Sequence, residues 1–222
     1  MMVLHQLRVV VADSCFTASL RVQSALAPRL QAGDVLTDLP VLYRCAITQR
    51  AKRAGRQVRF ERAGIWWSGM PLHRIRQTLN TLGLGGYQIV AVTRSPWERL
   101  ATAWYLHCRP HSRDSAWSLE RFLRDHPLCP PPLTLGTGRV PDDITWLRED
   151  HLTSDTDQWT QTLGISAPLD WVPVRPDPWE RLGRQLHDLY TQAAVDLVAF
   201  DWACWPERVF VVVVMGVCPR AK

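Results

Sequence analysis

The chain has 222 residues, 46% hydrophobic and 21% charged, with a formal charge of +5 and an isoelectric point near 9.1. That composition leaves one compact, enzyme-sized globular domain and little else. The basic balance suits an anionic ligand without choosing between a nucleotide, a nucleic acid and an acidic polysaccharide.

At the amino end, His5, Gln6 and Arg8 interrupt any apolar run of signal-peptide length. Leu7 to Ala12 then reads as a first strand, and Leu20 to Leu30 as a helix, joined by the loop Asp13-Ser14-Cys15-Phe16-Thr17-Ala18-Ser19. Arg44, Arg50, Lys52, Arg53, Arg56, Arg59 and Arg62 form the densest basic cluster, opposed there only by Glu61. It is either a patch for a sulfated or carboxylated acceptor or the solvated face of a helix and strand, with Leu42, Cys45 and Ile47 turned inward; no aromatic-interleaved RNA-binding signature accompanies it. Val58 and Phe60 alternate with polar residues in a strand-like run from Gln57 to Glu61. Trp66 and Trp67 follow, either as core or as the lining of an acceptor pocket, and Pro71 to Leu82 is the next expected helix, carrying His73.

Gly85-Gly86 precedes Tyr87 to Val92, a run rich in aromatic and β-branched residues and too short for a helix, hence a buried strand. A helix starts immediately after it. Ser95 is a suitable cap, Pro96 suits a first turn, and Trp97, Leu100, Ala101 and Trp104 recur at helical spacing. Arg94 is thereby left at the strand's carboxyl end, where open α/β sheets bind ligands and where an Arg fork beside a helix amino terminus matches the oxygens of a phosphate. Thr102, about two helical turns further on, offers a hydroxyl.

Asp125 to Asp143 is a Pro- and Gly-rich tract, either a substrate-facing lid or a surface loop. Ile144 to Arg148 reads as a strand, followed by Asp150-His151-Leu152 and an amphipathic helix ending at Leu163-Gly164. Val209 to Cys218 is strongly apolar, but about ten residues cannot span a bilayer as a helix, so a buried strand or an interface is expected. The six cysteines show neither metal spacing nor a secreted pairing pattern, which points to reduced thiols and a cytoplasmic setting.

The segment Arg94-Ser95-Pro96-Trp97-Glu98-Arg99-Leu100-Ala101-Thr102-Ala103-Trp104 resembles the 3'-phosphate motif of the sulfotransferase superfamily, an Arg-Asp-Pro-aromatic-x-Arg-Leu-x-Ser-x-Tyr pattern after the central strand. The later strand and the helix closing on Leu-Gly resemble further parts of its carbohydrate-type members, and Tyr190 to Asp196 with Phe200, Asp201 and Trp205 resembles its closing helix and tail, so that the likeness spans about residues 7–205 of a single domain, 1–222. The resemblance implies an α/β, P-loop-like three-layer sandwich with a central parallel sheet flanked by helices. It implies transfer of a sulfuryl group from 3'-phosphoadenosine 5'-phosphosulfate (PAPS) to a hydroxyl or amine of a carbohydrate or small-molecule acceptor, without a required metal.

By position, Arg94 and Thr102 would hold the 3'-phosphate of PAPS. The family's other loop, of the type Pro-Lys-x-Gly-x-Thr-Ser-Leu, corresponds to the loop after the first strand, so Ser14, Thr17 and Ser19 would face the 5'-phosphosulfate. Ser14 stands where the family has its Lys, whose charge stabilises the leaving oxygen and can be worth several kcal/mol of barrier. Arg21 is the nearest substitute cation. Glu61 and His73 are the two candidates for the general base that takes the acceptor's proton. The missing Lys keeps a second reading open, a non-catalytic sulfotransferase-like protein that binds a nucleotide or a protein partner. A nucleotide kinase is disfavoured, because no Gly-x-x-x-x-Gly-Lys-Ser/Thr run is present.

Overall fold

The computed structural model describes residues 1–14, 17–37, 41–61, 64–94, 98–99, 102–104, 122, 143–165, 169 and 171, with the side chains of 41–43 excluded. Six strands form one mixed sheet: β1 (Met2–Leu4), β2 (Val9–Val11), β3 (Val35–Thr37), β4 (Phe60–Glu61), β5 (Gln88–Thr93) and β6 (Ile144–Arg148). Their spatial order is β4-β3-β1-β2-β5-β6. The helices are α1 (Ser19–Leu26), extended by a 3₁₀ turn at Ala27–Arg29, α2 (Val41–Arg53), α3 (Leu72–Thr81) and α4 (Leu152–Thr162).

The parallel sheet expected from sequence is interrupted by one strand. β2 pairs in parallel with β5, and β5 with β6, while β1 lies antiparallel between β2 and β3. The strand expected over Leu7 to Ala12 is shortened to Val9–Val11 because the chain makes a hairpin first. Leu7 and Arg8 belong to its turn, with Arg8 at φ 55° and its N–H donating to the His5 carbonyl at 3.2 Å. Since β1 runs against both neighbours, β2 to β6 all point the same way and their carboxyl ends share one edge of the sheet.

The pleat sends alternate residues to opposite faces, and both faces are apolar, as in parallel sheets covered on each side. Val9, Val11, Val90, Val92 and Leu147 face α1, α2 and α4 through Val22, Leu26, Ile47, Ala51, Leu152 and Trp159. Val10, Ala12, Ile89 and Ala91 face α3 through Leu72, Ile75 and Leu79, together with Trp66 and Met70. At roughly 25 cal/mol per Å² of apolar area, these two buried clusters are the main favourable term in folding.

The connections fix where a ligand would lie. From β2 the chain goes through α1 to β3 on one side; from β4 it returns through α3 to β5 on the other side of β2. The crevice between the carboxyl ends of β2 and β5 is therefore a topological switch point, the usual ligand position in an open α/β sheet. Residues 95–97, the tract expected between Asp125 and Asp143 apart from its last residue, and the segments 190–205 and 209–218 lie outside the described residues. Among the described residues, no helix is long and apolar enough to cross a membrane.

Candidate functional site at the switch point

Arg94 is the first residue after β5, and its side chain is 11% exposed. Its Nη1 donates to Thr102 Oγ1 at 3.0 Å. Residues 98–99 and 102–104 are helical, so Glu98 and Thr102 recur at four-residue spacing on the side of the helix that meets Arg94. Glu98 Oε2 accepts from Arg94 Nε at 3.1 Å. The two residues expected at the 3'-phosphate, Arg94 and Thr102, are thus in direct contact. Ser95, the expected cap, lies outside the described residues.

Across the switch point, the loop after β2 is organised by its own side chains. Thr17 Oγ1 donates to the Ser14 carbonyl at 2.9 Å and accepts from the Ser19 N–H at 3.4 Å. Ser19 Oγ donates to Asp13 Oδ1 at 3.2 Å. Asp13 Oδ2 accepts from Ser68 Oγ and lies 3.8 Å from the Met1 nitrogen, which donates to Thr37 Oγ1 at 2.6 Å. Asp13 therefore ties the β2 loop, α1 and the loop before α3 into one unit. Ser14 is 6% exposed, and its hydroxyl is buried without a hydrogen-bond partner; the fully buried Thr93 hydroxyl, at the end of β5, is in the same state.

The group that joins the two halves is Glu149, the residue after β6, which sequence reasoning did not single out. Its Oε2 accepts from the Ala18 N–H, at the amino end of α1, at 2.9 Å. Its Oε1 lies 3.4 Å from Arg94 Nε. Burial pushes its carboxyl above the usual range, a shift opposed by the Arg94 charge and the Ala18 N–H, reinforced by Glu98 and opposed again by Arg21. Arg21, on the first turn of α1, is held below its usual value by burial and supported by Glu149. Its guanidinium lies 5.8 Å from the centre of the Trp171 ring, and its Nε is buried without a partner. A cation from α1 is thus electrostatically coupled to Glu149.

The two candidate bases lie further off. Glu61 ends β4, at the same carboxyl edge but four strands from β5, about 19 Å across the sheet. His73 sits on the first turn of α3, half-buried, with an unpartnered buried Nδ1. Among the described residues, neither is bonded to Arg94, Thr102 or the β2 loop. Between them, the Trp pair divides: Trp66 is 6% exposed and packs in the α3 core, whereas Trp67 is 47% exposed. Trp67 lines a groove of about 590 Å³ with Ile65, Met70, Arg74, Thr78 and Leu82. Ser68, next to it, carries the contact to Asp13, so the groove wall and the β2 loop are mechanically joined.

The basic run is only partly absorbed into structure: Lys52, Arg53 and Arg59 are exposed, and Arg62 lies outside the described residues. α2 buries Ile47 and Ala51 in the core, Arg44 lies over the Phe60 ring at 5.8 Å, and Arg56 Nη1 donates to Gln31 Oε1 at 3.2 Å. Cys45, expected to turn inward with Leu42 and Ile47, is instead an exposed free thiol on α2. Among the described residues, no cluster of His, Cys, Asp and Glu has the makings of a metal site. No known family model, curated protein or solved structure matches this chain.

Proposed function

We propose that this chain is a P-loop-like, three-layer sulfotransferase that takes PAPS as co-substrate and transfers its sulfuryl group to a hydroxyl or amine. The observation that carries the reading is the 3.0 Å contact between Arg94 and Thr102 at the switch point. A guanidinium with a hydroxyl beside it is a fitting receptor for a terminal phosphate, and Arg presents its donors as a fork. Arg94 and Thr102 would hold the 3'-phosphate; Ser14, Thr17, Ser19 and the α1 amino end would face the 5' end, with Arg21 as the supporting cation.

In such a reaction the acceptor's oxygen or nitrogen attacks sulfur in line, the bond from sulfur to the 5'-phosphate oxygen breaks, and adenosine 3',5'-bisphosphate leaves. The acceptor's proton passes to Glu61 or His73. The groove beside Trp67 is the place we assign to the acceptor, since an exposed indole stacks on sugar or aromatic rings. A second reading, a non-catalytic nucleotide-binding or partner-binding protein, draws on two features: Ser14 in the position of the family's Lys, and the Glu149 carboxylate already seated on the Ala18 N–H.

The reading is tested by sulfuryl transfer from labelled PAPS to a panel of sugars, phenols and amines, with Glu61→Gln and His73→Gln alongside. Transfer abolished by one of these two, with PAPS affinity retained, supports catalysis and names the base. PAPS affinity lost in Arg94→Ala, with no transfer by the wild type, supports the second reading. PAPS affinity unchanged by Arg94→Ala overturns the 3'-phosphate site on which both nucleotide readings rest.

A further inference from the structure

The position that an incoming oxyanion would take at the α1 amino end is held by a carboxylate of the protein itself. Glu149 accepts the Ala18 N–H at 2.9 Å and reaches Arg94 at 3.4 Å, so it uses the same donors that a phosphate or sulfate would use. Its backbone is fixed, because its N–H donates to the Thr93 carbonyl at 2.9 Å, continuing the ladder of β6 against β5. Its side chain is 22% exposed. Glu149 is therefore anchored at the backbone while its carboxylate stands at the border of solvent.

We propose that Glu149 is the resident anion of this site, a built-in competitor that must yield Arg94 and the α1 amino end before a phosphate or sulfate oxyanion can bind. The inference rests on the switch-point site of the proposed function. Two further observations support it. The Ser14 hydroxyl, in the β2 loop and more than nine-tenths buried, lacks a hydrogen-bond partner, so polar capacity remains there that Glu149 does not use. The carboxylate also sits beside Glu98, which shares Arg94 with it; a second acid weakens the hold of Arg94 on either one.

Among the described residues, the charged groups that act on Glu149 are Arg94 just after β5, Glu98 on the following helix and Arg21 on α1. Of its charged neighbours in sequence, Arg148 is paired with Asp155 at 3.0 Å, and His151 and Asp150 lie 3.7 Å from each other. Because a proton on Glu149 removes its claim on Arg94, anion affinity rises as the pH falls toward the carboxyl's folded value. Above that value the competition strengthens by up to about tenfold per pH unit.

The test is calorimetric titration of the full chain with inorganic sulfate, whose charge is constant over the range, and with adenosine 3',5'-bisphosphate, at pH 5.5 and pH 8. Sulfate is expected to bind the wild type more tightly at pH 5.5. Glu149→Gln, which keeps an oxygen for the Ala18 N–H, should bind about tenfold more tightly at pH 8 and lose the pH dependence. Glu149→Gln combined with Arg94→Gln should lose this binding, which locates it. If Glu149→Gln does not fold, the wild-type pH dependence decides alone. Sulfate binding that behaves in this way without nucleotide binding sustains the competitor and removes the nucleotide. Sulfate affinity indifferent to pH and to Glu149→Gln, with the nucleotide still bound, overturns the competitor and leaves the nucleotide site standing. Absence of binding by either anion overturns both.

Discussion

Replacing Thr102 by Val removes one acceptor from Arg94 while conserving volume. Thr102 is 8% exposed and its hydroxyl stands 3.0 Å from Arg94 Nη1, so no water replaces it freely. A hydrogen bond to a charged group contributes about 1.5–3 kcal/mol. Arg94 keeps Glu98 at 3.1 Å and Glu149 at 3.4 Å, which places the loss at the lower end, about 1.5 kcal/mol. For a chain of this length that lowers the melting temperature by about 3–6 °C. The same hydroxyl should strengthen the grip on a 3'-phosphate, so affinity for adenosine 3',5'-bisphosphate is expected to fall about tenfold, with 5'-AMP unaffected. Thr102→Ser, which restores the hydroxyl, should recover both. The assays are urea denaturation and calorimetric titration of the three proteins. A stability loss with an unchanged ratio of the two nucleotide affinities would refute the ligand role and leave Thr102 as a purely structural partner of Arg94; no change in stability would refute the contact itself.

Asp155 anchors the end of β6 to α4: it accepts from Arg148 Nε and Nη2, each at 3.0 Å, and from the Arg148 backbone N–H at 3.0 Å. Asp155→Asn is expected to destabilise by roughly 2 kcal/mol, read by urea denaturation at pH 7. Hydrogen bonds from Arg148 hold this carboxyl below its ordinary value of 3.8. Its contribution is therefore complete above that value and is lost as the pH falls through the lower folded value, so the wild type and Asp155→Asn should converge in strong acid. Ile75, fully buried on α3 against Val10, Ile89 and Ala91, tests the second face of the sheet. Ile75→Ala should cost about 3 kcal/mol in the same assay, and a loss under 1 kcal/mol would contradict the packing of α3 on that face.

The elements that sequence revealed most faithfully are those whose signal is local. β6 occupies Ile144–Arg148 as its apolar run suggests, and β5 is shifted by one residue from Tyr87–Val92 to Gln88–Thr93. α3 loses only one residue at each end of Pro71–Leu82. β1 left no readable signal because three apolar residues become a strand only by pairing with β2 on one side and with β3, far along the chain, on the other. Its insertion is what makes the sheet mixed, a fact of tertiary pairing that no pattern in Met2–Leu4 encodes. Trp66 and Trp67 show the same limit: adjacent residues of one type, one buried and one half-exposed, with the choice made by packing.

At the site, Arg94 and Thr102 were legible because a helix brings them together over eight residues. Glu149 was not, since an acid after a strand is commonplace and its meaning comes from the 131-residue separation that the fold closes against Ala18. Asp13 was read only as part of a loop, whereas its bonds to Ser19 and Ser68 show that it organises three segments. A carboxylate placed directly after a strand whose neighbour ends in Arg was the available clue to both the competitor and its partner.

The most direct test of the nucleotide reading is calorimetric titration of the 222-residue chain with adenosine 3',5'-bisphosphate beside 5'-AMP, repeated with Arg94→Ala. Arg94 acting as the 3'-phosphate receptor requires the bisphosphate to bind at least about tenfold more tightly than 5'-AMP, with the difference abolished in Arg94→Ala. Equal affinities for the two nucleotides, or a preference that survives the substitution, would contradict it.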